Sequence, residues 1–267
     1  MTAGTVAAPD GVPIHFETTG QGRTALVLVH CWTGDGTLWS GEVPRLARSR
    51  QVVTLDLAGH GRSGRTRQDH TMESFGADVQ AVADHLALDR VVLVGHSMGG
   101  AVILEAEKRL RGRVVGLVPI DTLRDVEQTG DPGQTDEFMA RMAADYQGQA
   151  TAFIRQHLLA PTTPPAVCDR ILAQALAFPP AIAISALRSA WNYRPAPAFD
   201  AIHVPMVAVN SDLFPTNVEA NRRHAPQFDV VIIKGTGHYP MLEAPDRFAP
   251  LLDQALHKVE TAVLTRR

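Results

Sequence analysis

Cysteine is nearly absent from this chain. Its two copies in 267 residues, Cys31 and Cys168, stand far apart in unrelated contexts, too few for a disulfide framework and wrongly spaced for a zinc site. That usage fits a reducing compartment, so a cytoplasmic protein is expected. An excess of charge of one sign is also lacking: 25 Lys and Arg face 28 Asp and Glu, a formal net charge of −3. Neither nucleic acid nor an anionic membrane surface therefore has an electrostatic reason to bind. No apolar run approaches the roughly 18–20 residues that cross a bilayer, and the first ten residues have neither the basic start nor the apolar core of a signal segment. Met1 is expected to be the true start. Repeats, low-complexity tracts and blocks of like charge are missing too, and the partner these absences leave is a small molecule.

What is present is a soluble globular composition, 45% hydrophobic and 20% charged, long enough for one large α/β domain or two small ones. Short apolar runs bounded by turn residues recur at 25–29, 51–55, 90–94, 114–118, 206–209 and 229–233. Such runs are expected of strands buried on both faces of a parallel sheet. Between them lie helical patterns, clearest at 72–86, where Phe75, Val79, Val82, Ala83 and Leu86 recur at steps of three and four. Strand and helix in alternation imply crossovers, and hence a doubly wound α/β sheet. A hairpin between 12–18 and 25–29 is expected to open it. The alternation stops after Ile120 and resumes at Val204, leaving about eighty residues of helical stretches punctuated by proline. Its many apolar side chains require a helical lid laid on the sheet edge rather than a flexible linker.

The chemistry-bearing segment is Gly95-His96-Ser97-Met98-Gly99, a G-x-S-x-G between a buried strand and a helical pattern. A sharp strand-to-helix turn lifts the serine hydroxyl above the sheet edge, and the helix N-terminus beneath favours developing negative charge. A serine nucleophile needs a base, and His238 follows the last strand at the same edge of the sheet. The histidine in turn needs a carboxylate. Asp212, after the strand at 206–209, is the favoured acid, although capping a helix near Thr216 would also explain it; Asp121, ending Val-Pro-Ile-Asp, is the alternative. Two N–H groups are expected to bind the oxyanion, those of Met98 and of Trp32 in the loop after the first buried strand. Other histidines have simpler explanations, with His30 and His60 expected as structural donors in glycine-containing loops.

Gly95 to Gly99, His30-Cys31-Trp32, Asp56-Leu-Ala-Gly-His-Gly-Arg-Ser63, Asp212 and Gly237-His238 together resemble the α/β-hydrolase superfamily, over Val12 to Leu256. The resemblance implies an α/β-hydrolase fold: a mainly parallel eight-stranded sheet flanked by helices, with a core at 1–121 and 201–267 and a helical cap at 122–200. It further implies acyl-enzyme chemistry without a cofactor, metal included, and within the superfamily the chain looks most like the small esterase, perhydrolase and C–C hydrolase branches. A serine at position 97, rather than a carboxylate, favours attack on the carbonyl of an ester or lactone. Carbon–carbon bond cleavage, lyase or peroxidation chemistry on the same residues is the alternative, and a ligand-binding module is a third reading. Family members usually carry His-Gly where this chain has His30-Cys31, so Cys31 is either a small buried hydrophobe or a wall of the pocket. Phe138, Met142, Phe178 and Trp191 are the expected apolar lining from the lid, with packing as their alternative role.

Overall fold

A computed structural model describes residues 1–262. Eight strands form one sheet in the order β1-β2-β4-β3-β5-β6-β7-β8: β1 (Thr2–Ala7), β2 (Pro13–Thr19), β3 (Ala25–Val29), β4 (Gln51–Leu55), β5 (Val91–His96), β6 (Val114–Ile120), β7 (Met206–Ser211) and β8 (Phe228–Ile233). From β4 to β8 every neighbouring pair is parallel. Residues 25–29 and 91–96 are buried throughout, as the unbroken apolar runs required. The expected hairpin is not formed as drawn. β2 pairs antiparallel with β1 and with β4, and does not touch β3 in the ladder. The tight turn lies instead at 8–12, where Ala8 N donates to Val12 O at 2.8 Å. β1 escaped the pattern because it is an edge strand that alternates exposed and half-buried positions, with little apolar content to mark it.

The helices flanking the sheet follow from the 3.6-residue period. α1 (Val43–Leu46) is one turn; α2 (Met72–His85) buries Met72, Phe75, Val79, Val82 and Ala83 and starts on a Thr71–Ser74 capping box. α3 (Met98–Arg109) is buried from Met98 to Glu107 between α2 and the sheet. Between β6 and β7 the chain leaves the sheet for α4 (Pro132–Ala144), α5 (Tyr146–Phe153), a π-helical turn at Ile154–Leu158, α6 (Pro165–Leu176), α7 (Pro180–Asn192) and α8 (Ala196–Ala201). Prolines open α4, α6 and α7, where the missing N–H costs nothing. The α6–α7 corner bends by 105°, and among the described residues no single helix is long and apolar enough to cross a membrane. The described residues close with α9 (Val218–His224), α10 (Pro240–Glu243) and α11 (Pro245–Ala262), the last burying Phe248, Leu252, Ala255, Leu256 and Val259.

This topology sets the chemistry at one edge. The segments that follow β3, β5, β6 and β8 all leave the sheet at its carboxyl edge, the place where open α/β sheets bind ligands.

Candidate active site

Ser97 stands between β5 and α3 with φ 55° and ψ −117°, a conformation that side chains other than glycine rarely adopt. The turn is tight because Gly95 packs against the first turn of α3: a Cβ there would lie 2.2 Å from Gly99 O. Among the described residues five non-glycine residues have positive φ, and Thr33, Ser97 and Asp121 belong to loops at this edge. Backbone strain of this kind concentrates at functional sites.

His238 sits beside Asp121, the alternative acid, and not beside Asp212. His238 Nδ1 donates to Asp121 Oδ2 at 2.6 Å. Asp121 Oδ1 accepts from Ser211 N and from Arg124 Nη2, each at 2.6 Å. Burial pushes this carboxyl up, but hydrogen bonding and charge from His238, with Arg124 and Ser211 behind them, outweigh it and hold Asp121 well below the usual carboxylate range. Asp212 is exposed, and its Oδ1 accepts from Gly235 N at 2.7 Å, fixing the turn after β8. The expected Asp212–His238 contact is therefore absent, for a geometric reason. β7 runs on to Ser211, while β6 ends at Ile120 opposite Val209. Asp121 thus leaves the sheet at the depth of the histidine, and Asp212 emerges beyond it.

Arg124 spends four of its five N–H groups within the protein. Nη1 donates to Ser211 O at 2.9 Å and to Phe214 O, and Nη2 to Ser211 Oγ at 3.0 Å as well as to Asp121. The guanidinium therefore fixes the carboxylate and ties it to the loop after β7. His96 supports the other side: its Nε2 donates to His238 O at 2.7 Å, and the two rings lie 4.8 Å apart. Burial, reinforced by the neighbouring His238, pushes His96 down to about 3, so it serves as a neutral donor.

The loop after β3 is held by His30. Its Nδ1 donates to Cys31 O at 2.8 Å, and its Nε2 accepts from Leu57 N at 3.0 Å, which requires the neutral ring. Thr33 Oγ1 donates to Trp32 O at 2.8 Å, and the Trp32 indole donates to Ala183 O of α7 at 2.8 Å. Met98 is the first residue of α3, so its N–H has no partner inside the helix. Cys31 is buried, and desolvation pushes its thiol up to about 12.

A cavity of about 640 Å³ opens onto Ser97 and His238. Cys31, Trp32, Met98, Asp121, Phe138 and Trp191 contribute to its wall. Phe138 and Trp191 pack with ring centroids 4.8 Å apart, and Phe153 lies 5.6 Å from Trp191. Met142 and Phe178 do not reach it. Met142 shares the inward face of α4 with Met139 and is fully buried, while Phe178 turns down onto His60, 4.7 Å between centroids. The cavity also exposes Arg124 and Leu158, which the sequence pattern had not singled out. An arginine three residues after Asp121 was the available signal for the first.

The alpha/beta hydrolase family model matches residues 26–251. The chain belongs to this family. Over 97% of its length it is similar to a thermophilic esterase from Thermogutta terrifontis, with 26% identity, a TM-score of 0.83 and 99% of that chain covered. It is also similar to Est816, an N-acyl homoserine lactone degrading enzyme, at 25% identity and TM-score 0.80, over 94% of this chain and 99% of that one. Among curated relatives it is 36% identical over 121 residues to a non-heme haloperoxidase from Rhodococcus erythropolis, covering 43% of this chain and 44% of that protein. It is 43% identical over 102 residues to an acetyltransferase component of an acetoin cleaving system from Pseudomonas putida, covering 38% of this chain and only 28% of that longer protein. The chain is thus a hydrolase-fold enzyme whose relatives carry several chemistries.

Proposed function

We propose that this enzyme is a serine hydrolase that cleaves a carboxylic ester or lactone of a small, mainly apolar molecule through an acyl-enzyme. The observation that carries this reading is the strained Ser97 opening into the same cavity as a histidine whose Nδ1 is already committed to a buried carboxylate. With Nδ1–H donated to Asp121, the other ring nitrogen, Nε2, is left as the base. It takes the Ser97 proton as Oγ attacks the carbonyl carbon, and returns that proton to the leaving oxygen as the acyl bond breaks. Asp121 remains ionised and balances the imidazolium. The N–H groups of Met98 and Trp32 receive the oxyanion. Water then attacks the acyl-enzyme with His238 again as base. The aromatic wall of Phe138, Phe153 and Trp191 suits an apolar acyl or alcohol group.

The esterase and lactonase similarities support the reaction class, and the haloperoxidase similarity favours a second outcome at the same serine, in which hydrogen peroxide replaces water as the acyl acceptor. Replacing Ser97 with Ala is expected to abolish both turnover of p-nitrophenyl butyrate and labelling by a fluorophosphonate. Ester turnover that survives in this variant refutes the scheme. Adding peroxide with a short carboxylic acid separates the two acceptors by the appearance of peracid.

A further inference from the structure

Three consecutive backbone N–H groups run through the base residue, and none is left to water. Gly237 N donates to Glu243 Oε2 at 2.7 Å and Tyr239 N to Glu243 Oε1 at 2.9 Å. His238 N, between them, donates to Leu158 O at 2.8 Å, at the end of the π-helical turn in the helical segment between β6 and β7. The His238 carbonyl is taken by His96. One carboxylate and one carbonyl of that segment therefore fix the peptide planes on both sides of the imidazole.

Glu243 is itself tied to the same segment. Thr163 Oγ1 donates to Glu243 Oε2 at 2.7 Å and accepts from Ala160 N at 2.9 Å, so the hydroxyl is a node between the 158–163 loop and the glutamate. Thr162 Oγ1 adds a bond to Gly235 O at 3.2 Å. The loops meet backbone to backbone: a Cβ at Gly237 would fall 2.7 Å from Ala160 N and 2.8 Å from Leu158 O. Leu158 also lines the cavity, so the residue whose carbonyl holds His238 faces the same space as Ser97.

We propose that Glu243 and Thr163 are positioning residues, a clamp through which the helical segment between β6 and β7 holds His238 in register with Ser97. The proposal rests on the reading of Ser97 and His238 as nucleophile and base. Displacing a reacting group by about 1 Å costs on the order of 100-fold in rate, so a loosened His238 backbone is read in kcat before it is read in binding. Thr163→Val removes the hydroxyl while keeping the side-chain shape, Thr163→Ser keeps the hydroxyl, and Glu243→Gln turns an amide NH2 towards one of two N–H donors that a carboxylate accepts.

The test is steady-state hydrolysis of p-nitrophenyl butyrate by the full chain and these variants, with thermal melts to establish that each is folded. Thr163→Val is expected to lower kcat by about tenfold and Glu243→Gln by about 10- to 100-fold, both with KM unchanged, while Thr163→Ser matches the parent. A readout independent of turnover is the downfield proton resonance of the His238 Nδ1–H: it should exchange with solvent faster in folded Thr163→Val than in the parent. Parent-like kcat and parent-like exchange in folded Thr163→Val overturn the clamp, as does an equal loss in Thr163→Ser. If the parent cleaves no ester yet the resonance responds as described, the clamp stands and the hydrolase reading falls.

Discussion

Among the described residues Asp121 receives three donors and Asp212 one, and this difference separates a buried, charge-bearing carboxylate from a turn-forming one. In Asp121→Asn the amide can offer N–H where His238 needs an acceptor, which favours the wrong imidazole tautomer and removes the charge that balances imidazolium. A fall in kcat/KM on the order of 10³- to 10⁴-fold is expected, against a change within about threefold for Asp212→Asn, whose amide oxygen still accepts the Gly235 N–H. Ester hydrolysis by the two variants decides: the opposite ranking would return the acid role to Asp212. The turn containing Ser97 and the edge position of His238 could be read from the chain because strand, glycines and helix start lie within ten residues of each. The acid could not. Both aspartates follow apolar runs, and the choice depends on how far β7 extends past β6, a long-range register that no local pattern encodes.

Among the elements, the strand-to-helix turn is tightly constrained. Its backbone strain persists only because β5 and α3 are both buried and over-determine it. Gly95→Ala would bring a methyl group to 2.2 Å from Gly99 O, a backbone atom that cannot rotate away. Overpacking of this kind is expected to destabilise by about 3 kcal/mol and to swing Ser97 out of line, so that both the urea midpoint and phosphonate labelling fall together. A variant with the parent's midpoint would show that the turn is looser than its geometry implies. The buried elements were the legible ones: 25–29, 51–55 and 72–86 coincide with β3, β4 and α2 to within a residue, because their apolar periods are complete. β1 is not legible, since an edge strand facing solvent carries no such period, and without it the pattern points β2 to the wrong partner. The same reasoning covers the side chains of the helical segment between β6 and β7. Phe138 and Met142 lie one turn apart on α4, and only the packing of α4 against α7 decides which faces the cavity.

Across the whole molecule the site is embedded in buried neutral histidines, and this gives the fold a defined response to acid. His30, His60 and His96 have no exposed surface. Desolvation lowers all three, His96 to about 3, with neighbouring histidines depressing His60 and His96 further. Among the described residues His60 Nε2 and His96 Nδ1 are buried without a hydrogen-bond partner, so a proton added there would gain no acceptor. In the unfolded chain each of these rings takes up a proton near pH 6.5, whereas in the folded state it remains neutral. Stability is therefore expected to be flat above about pH 7 and to fall as the pH drops below 6.5. The slope is up to about 1.4 kcal/mol per pH unit for each ring, continuing for His96 towards pH 3. Asp121 acts in a different window: its folded value lies below the ordinary carboxylate, so its contribution is kept until the pH falls below the range near 3.8. The helical segment and the sheet should lose stability together, because Trp32 to Ala183, Tyr193 to Glu105 and His238 to Leu158 stitch one to the other. Urea unfolding at pH 7.5, 6.0, 5.0 and 4.0 tests this: a single transition is expected whose free energy declines from 6.0 downwards. His96→Gln, which keeps an N–H donor for His238 O, should remove about one ring's share of the slope. A stability that is level from pH 7.5 to 5.0 would mean that these rings are hydrated in solution and titrate normally.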